Sequence, residues 1–448
     1  MTIIEAKRLP VHCGPAAWSA ILPDQTPPVR LEENLAVDVA IVGGGFAGLS
    51  AARRLHQIDP HIRVAVLEAG RLAEGASGRN SGFMIDLPHD VSSEDYSGKG
   101  ISADQETIAL NRAAIAFARS AVEEYGIDPA WFDPAGKING AASGKAHALN
   151  ASYAAHLARL GEPSEMLDDK TMLAVTGSRH YRSGLYTSGT VMIQPAGYIR
   201  SLGEGLRRAG VSIFETSPVS RLARNGQDWE LKTPHGKVSA TKVILANNGQ
   251  LESFGFKHGR LMHIFLYASM TAELDRETLA KLGGQPRWGV TPSDPMGTTM
   301  RRIDSGQGGN RIVTRTCASF LPGMTSSQAT LAHAARVHRR KFTDRFPAIA
   351  DVPMEFTWAG HLCLSWNGVS VVGELEPGLL SACGCNGLGT VRSTLMGIAA
   401  AELASGKSSG ILAHFLAEEE PAKLAPAPFA EIGANLYLKW REWQARHE

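Results

Sequence analysis

Val37-Asp-Val-Ala-Ile-Val42, then Gly43-Gly-Gly45-Phe-Ala-Gly48, then Arg63-Val-Ala-Val-Leu67-Glu68 decide the fold of this chain. The first run is short and apolar and breaks into glycine, the pattern of a strand buried on both faces of a parallel sheet. Ala47 to Gln57 carries Leu49, Ala52 and Leu55 at helical spacing, and the run ending at Leu67 is a second buried strand. Strand, turn, helix and strand inside about thirty residues make a βαβ unit. The glycines read as G-x-G-x-x-G: the first permits the tight turn, the second lets backbone approach a pyrophosphate, and the third lets helix and strand pack closely. The helix N-terminus then offers free N–H groups and a positive dipole end to phosphate. Glu68 stands twenty residues beyond Gly48, where a carboxylate can accept both ribose hydroxyls and would repel a 2′-phosphate. The unit binds a dinucleotide other than NADP; the fingerprint alone leaves FAD and NAD both open.

Working outward, helices are predicted at Asp104–Tyr125, Ala146–Leu160, Gly197–Arg208, Gln328–Arg345 and Thr390–Leu403. Strands are predicted at Val211–Phe214, Lys242–Ala246, around 357–373 and at 379–383. Residues 261–316 alternate short strand patterns with turns such as Asp304-Ser-Gly and Gly308-Gly-Asn310. Nucleotide-type elements therefore recur early, in the middle and late, with differently patterned stretches between them. The expected architecture is α/β: a Rossmann-type domain interrupted by an α+β substrate domain built on an antiparallel or mixed sheet. Its segments are an irregular N-terminal arm (1–36), a nucleotide domain (37–88, 191–250 and 357–420), a substrate domain (89–190 and 251–356) and a C-terminal helical tail (421–448).

Composition excludes several classes of answer. At 448 residues the chain is long enough for two associated domains, and 44% hydrophobic with 20% charged is ordinary for a globular protein. Lys plus Arg (45) nearly balances Asp plus Glu (44), so no global field favours nucleic acid or an anionic membrane. No stretch approaches the length of a membrane span, and the start lacks the apolar core of a secretory signal. Five scattered cysteines suggest reduced thiols and a cytoplasmic location. Cys383 and Cys385 form C-x-C without nearby partners, so no metal site is expected.

The run Glu68-Ala-Gly-Arg-Leu-Ala-Glu-Gly75-Ala-Ser77-Gly-Arg79-Asn80-Ser-Gly82 resembles the segment that joins the adenosine site to the flavin ring in the D-amino-acid oxidase/glycine oxidase superfamily of FAD-dependent oxidoreductases. Within it, VGGGFAGLSAA with LEAGRLAEGASGRNSG is most similar to the gamma-glutamylputrescine oxidase-like group. GLYTSGTVMIQPAGYIRSL, FETSPVSRL, KVILANNG and ACGCNGLGTVRSTLMGIAAAEL follow in the superfamily's order. The resemblance implies noncovalent FAD held by Gly43, Gly45, Phe46, Ala47, Gly48, Glu68, Ala69 and the loop residues Gly75, Ala76, Ser77, Arg79, Asn80, Ser81 and Gly82. It adds Val219 beside the adenine, the crossover Ala246-Asn247-Asn248-Gly249, and Gly384, Gly387, Leu388, Gly389 and Thr390 at the pyrimidine edge of the flavin.

The implied activity is oxidation of a C–N bond in a small amine or amino acid. Hydride passes to flavin N5, and the resulting imine hydrolyses. The substrate-facing candidates are Arg79, Thr299, Arg301 or Arg302, His361 and Trp366. Thr299 stands where some relatives carry a lysine that helps oxygen react, so the acceptor is oxygen or another oxidant. Cys363 lies near the position at which other relatives bind flavin covalently. Three alternatives stay open. One is an NAD-dependent dehydrogenase. Another is a dehydrogenase passing electrons to a carrier or partner subunit, docked through Cys383 and Cys385 or the basic helix 328–345. The third is a 2-hydroxy-acid oxidoreductase.

Overall fold

The computed structural model describes residues 2–88 and 100–448. Strand Leu35–Val42 lies parallel between Val64–Leu67 and Lys237–Leu245, with Val39 opposite Val64 and Ile41 opposite Ile244. All four residues of Val64–Leu67 are buried, which is why the run is apolar without alternation. This sheet has nine strands; Ser212–Phe214 lies at one edge, and Leu379–Cys383 joins parallel to Lys237–Leu245. Helix Phe46–Ile58 starts on the glycine turn, and Gly389–Ala404 crosses it closely. A Cβ on Gly397 would meet Ala47 O at 2.2 Å, so a small residue is required at the crossing.

The second sheet has eight strands in the order Met354–Ser365, Leu261–Thr271, Arg311–Phe320, Thr299–Ile303, Trp288–Pro292, Lys137–Ala141, Ser183–Thr187, Glu165–Leu167. Every pair is antiparallel except Trp288–Pro292 with Lys137–Ala141, so the sheet is mixed. The boundary expected at residue 357 falls inside Met354–Ser365, which pairs with Leu261–Thr271 from Leu261 opposite Ser365 to Thr271 opposite Met354. The chain returns to the first sheet only at Val371–Glu376. Residues 89–99 of the segment expected at 89–190 lie outside the described residues.

The arm and the tail are more ordered than their composition suggests. Ile3–Glu5 adds antiparallel to Arg221–Asn225, and Ala17–Ala20 forms one helical turn that buries Trp18 completely. Helix Phe429–Gln444 lies against Arg311–Phe320, where the Asn435 amide accepts from Phe320 N–H (3.0 Å) and donates to Phe320 O (2.9 Å). Helix Gln328–Arg345 does not present all of its charge outward: Lys341 and Arg345 are buried, and Lys341 Nζ donates to Arg446 O and Glu448 O. Cys383 and Cys385 are buried too, which removes both cysteines from the expected docking surface.

Candidate active site

At the C-terminal end of strand Leu35–Val42 the chain turns so tightly that side chains have no room. A Cβ on Gly43 would meet Ala246 O at 2.7 Å, one on Gly45 would meet Ser77 Oγ at 2.5 Å, and one on Gly48 would meet Gly43 O at 1.9 Å. Gly43 also adopts φ +109°, which L side chains rarely do. Beside the turn, Glu68 accepts from Gly44 N–H (2.7 Å) and Gly70 N–H (3.0 Å). Burial raises the pKa of its carboxyl, and those backbone donors pull the other way without cancelling the shift.

Gly43, Gly44, Gly45 and Glu68 border a cavity of about 170 Å³, lined also by Ala69, Gly75, Val219 and Asn247. It shares Gly45, Ala76, Ser77, Arg79, Ala246, Asn248 and His361 with a larger cavity of about 910 Å³. Phe46, Ala47, Asn80, Ser81, Gly387, Leu388, Gly389 and Thr390 line the larger one. Four of the expected glycines act from behind the wall. Gly48 packs helix on strand, Gly249 backs onto His361, Gly384 donates its N–H to Asn248 Oδ1 (3.1 Å), and Gly82 makes room for Arg301. Asn248 is thus a structural clasp, whereas Asn247 Nδ2 is buried with no hydrogen-bond partner among the described residues.

An elongated dinucleotide fits this arrangement. Glycines keep the turn clear for phosphates, an acidic acceptor waits at the ribose end, an amide donor is left over, and a helix N-terminus borders the large chamber. Cys363 is wholly buried in the core rather than lining either cavity, and burial pushes its thiol pKa well up.

The substrate-facing candidates separate sharply. Thr299 lines the large cavity, buried, with no partner for Oγ1 among the described residues. His361 lines both cavities, and Trp366 stands at the mouth, 75% exposed. Arg301 faces away: Nη1 donates to Ser81 O (3.2 Å), Gly82 O (2.9 Å) and Ile193 O (2.6 Å), and Nη2 donates to Gln307 Oε1 (2.8 Å). Its guanidinium also lies over the Trp18 ring, 5.0 Å from the centroid. Arg302 donates to Gly283 O (2.5 Å), likewise outside the cavity. Arg79 borders both cavities, but Nε donates to Glu74 O (2.6 Å) and Nη1 to Gly14 O (3.0 Å), Cys13 O (3.2 Å) and Ala359 O (3.3 Å). These guanidiniums stitch backbone together.

Among the described residues, the cations that line the large cavity are Arg315, Lys423 and Arg441, with Arg79, and no Asp or Glu lines it. Arg315 comes from strand Arg311–Phe320 and Arg441 from the C-terminal helix, where Asp294 lies 3.9 Å from its guanidinium. The same helix contributes Phe429, Tyr437 and Leu438, so the tail roofs the chamber. Sequence reasoning missed this roof. Its one available signal was the apolar stripe Phe429, Ile432, Leu436, Trp440, Trp443 at helical spacing.

Fold and site together define a dinucleotide-dependent oxidoreductase with a separate sheet walling its substrate chamber. The chain matches the family model described as FAD dependent oxidoreductase over residues 38–403, and it belongs to that family. It is 25% identical over 411 residues to a probable oxidoreductase OrdL of Rhizobium meliloti, covering 89% of this chain and 90% of that protein. It is 24% identical over 415 residues to gamma-glutamylputrescine oxidoreductase of Escherichia coli, covering 91% and 93%. Glycine oxidase from Geobacillus kaustophilus has a similar structure: TM-score 0.68 at 20% identity, over 85% of this chain and 98% of that one. The resident cofactor is FAD, and the NAD alternative falls away. No helix among the described residues is long and apolar enough to cross a membrane.

Proposed function

We propose that this FAD-dependent enzyme oxidises the C–N bond of a small amine that carries a carboxylate, releasing an imine that water hydrolyses. The observation that carries the reading is the charge of the chamber, which among the described residues is lined by arginines and a lysine and by no acid. A guanidinium offers a planar pair of donors that matches a carboxylate, and a partly dry chamber strengthens the pairing. The same lining disfavours a purely cationic polyamine. Bound FAD supplies the acceptor for a substrate hydride. The chain's residues do the rest: Arg315 and Arg441 orient the carboxylate from the wall and the roof, and the Phe429–Gln444 helix excludes water.

FAD is held without a covalent bond, because the Gly75–Gly82 loop has no His and Cys363 is turned into the core. Acid precipitation should therefore leave intact FAD in the supernatant; yellow colour kept in the pellet counts against this. The deciding experiment is anaerobic stopped-flow reduction of the flavin by amino acids, N-methyl amino acids, γ-glutamylated amines, 2-hydroxy acids and plain polyamines. Carboxylated amines should reduce it fastest, and Arg315→Ala should raise their KM by roughly tenfold or more, the loss of one charge-assisted pair. Reduction only by polyamines refutes the carboxylate reading. Reduction only by 2-hydroxy acids refutes the amine reading.

A further inference from the structure

The hydrogen bond of His361, on the cavity wall, leads into the protein and out again. Its Nε2 lies 3.1 Å from Nδ1 of His263, a fully buried histidine on strand Leu261–Thr271. Nε2 of His263 lies 2.7 Å from Glu252 Oε2, and Glu252 Oε1 lies 2.8 Å from Nδ1 of His258. His258 is 83% exposed and Glu252 13%. Four side chains thus run in single file from the flavin chamber to bulk water. Among the described residues, no three His, Cys, Asp or Glu side chains converge as a metal cage, so the file is not a metal site.

The donors and acceptors have one consistent direction. An ionised carboxylate only accepts, so His263 donates through Nε2–H, and in the neutral ring its Nδ1 accepts. His361 therefore donates through Nε2–H, leaving Nδ1, which makes no hydrogen bond within the described protein, as the acceptor on the cavity-lining ring. Burial would raise the Glu252 carboxyl, but the bond from His263, the Gly259 amide and the two nearby imidazoles outweigh it, so the pKa lies below the usual carboxylate value. Burial, then His263 and His12, lower His361 to about 3, so its ring is neutral near pH 7. The other ionisable groups around it are Arg79 and Glu74 beyond His12. Phe265 stacks on the ring at 4.8 Å between centroids and holds its plane.

We propose that His361, His263, Glu252 and His258 form a proton conduit carrying the amine proton of the substrate from the chamber to solvent. The proposal rests on the amine reading above. The substrate ammonium loses H⁺ to His361 Nδ1, and the Nε2 proton of His361 passes to His263 Nδ1. The Nε2 proton of His263 passes to Glu252, which hands a proton to His258 or directly to water. No electrons move, one proton enters and one leaves, and between turnovers the rings regain their Nε2–H tautomers by proton exchange with water once the chamber is open. Because the hops follow preformed hydrogen bonds, a full charge need not rest on the weakly basic His361.

The test compares wild type, His263→Phe and Glu252→Gln as FAD-loaded enzymes, by anaerobic flavin reduction from pH 6 to 10. Both variants should reduce about tenfold to a hundredfold more slowly near neutral pH, within the range of proton-transfer contributions. They should approach wild type at high pH, where the free amine arrives already deprotonated. Independently of activity, NMR of ¹⁵N-histidine-labelled protein should show His361 and His263 as neutral Nε2–H tautomers, with His361 perturbed in His263→Phe. Wild-type rates and pH profiles in both variants, or an Nδ1–H tautomer at His263, overturn the conduit. A wild-type enzyme that no amine reduces overturns the amine reading instead.

Discussion

Replacing Gly48 by Ala tests the cradle at its tightest point. The added Cβ would lie 1.9 Å from Gly43 O, 3.0 Å from Gly43 C and 3.3 Å from Ile41 Cγ2. Ordinary contact is about 1.5 Å longer than the first of these, and the neighbour is backbone in a turn that cannot rotate away. Helix Phe46–Ile58 must therefore lift from its strand. Overpacking of this kind costs about 1–3 kcal/mol, and the better helix propensity of Ala returns about 1 kcal/mol, so the apoprotein should lose up to about 2 kcal/mol. FAD should suffer more, because a displacement of about 1 Å takes the first-turn N–H groups out of bonding range of phosphate, and each charge-assisted bond lost costs about 1.5–3 kcal/mol. The expectation is a one- to two-decade rise in Kd, measured by quenching of flavin fluorescence as apoprotein is titrated in, with a melting point lowered by a few degrees. Gly144→Ala, where the new Cβ meets nothing within 4 Å, is the control and should change neither. Gly48→Ala binding FAD as wild type does, with an unchanged melting point, refutes the reasoning.

Three further outcomes follow from the geometry. Arg301→Ala should destabilise the protein by about 3 kcal/mol or more, since it strips four acceptors of a buried donor, and Arg301→Lys should not rescue it because one ammonium cannot span them; a stable variant with a selectively raised KM would return Arg301 to the substrate site. His338 is buried, with Nδ1 2.7 Å from Ser269 Oγ and Nε2 3.1 Å from Thr316 O, and burial lowers it to about 4. The unfolded chain takes up that proton near pH 6.5 while the folded one resists, so stability present above pH 6.5 is lost as pH falls toward 4, about 3 kcal/mol in all; His338→Gln should flatten the stability–pH curve there, and an unchanged slope refutes the assignment. Glu68 has a raised pKa before FAD binds, and the ionised form is the better acceptor for ribose hydroxyls, so FAD affinity should fall as pH drops through that raised value. Glu68→Gln should bind more weakly with a pH-independent Kd; equal pH dependence in both proteins counts against the role.

What the sequence made legible was local. Strand Leu35–Val42, helix Phe46–Ile58 and strand Val64–Leu67 lie within two residues of their expected bounds, because glycine spacing and apolar runs act over a few positions. Helix Gln328–Arg345 has its expected ends. The direction of Arg301 was not legible: all five residues of Thr299–Ile303 are buried, so no alternation marks which face meets the cavity. His263 and His361 are ninety-eight positions apart and become neighbours only through the pairing of two long strands. Arg441 reaches the chamber because Asn435 docks its helix on a strand more than a hundred residues earlier. Long-range placement of this kind leaves no periodic trace.

Two arginines, Arg79 and Arg301, hold the flavin-side loop through backbone carbonyls, and that clamp bears on how the flavin site works. Arg79 ties its own loop to the N-terminal arm at Cys13 and Gly14 and to the second sheet at Ala359. Arg301 ties the far end of the loop, at Ser81 and Gly82, to Ile193. Between them, Trp18 Nε1 donates to Asn80 O (2.8 Å) and Trp358 Nε1 to Arg79 O (3.0 Å). Gly82 adopts φ +77°, and a Cβ there would lie 1.9 Å from Arg301 Nη1, so the glycine exists for the clamp. A small-residue loop would otherwise be mobile; here its carbonyls are held from both sides by buried donors, and its inner surface faces the chamber without having to order on binding. Preorganisation of that kind lowers the entropy lost when a ligand arrives. The carboxylate-binding role proposed above belongs to Arg315 and Arg441, which line the chamber that the clamp borders.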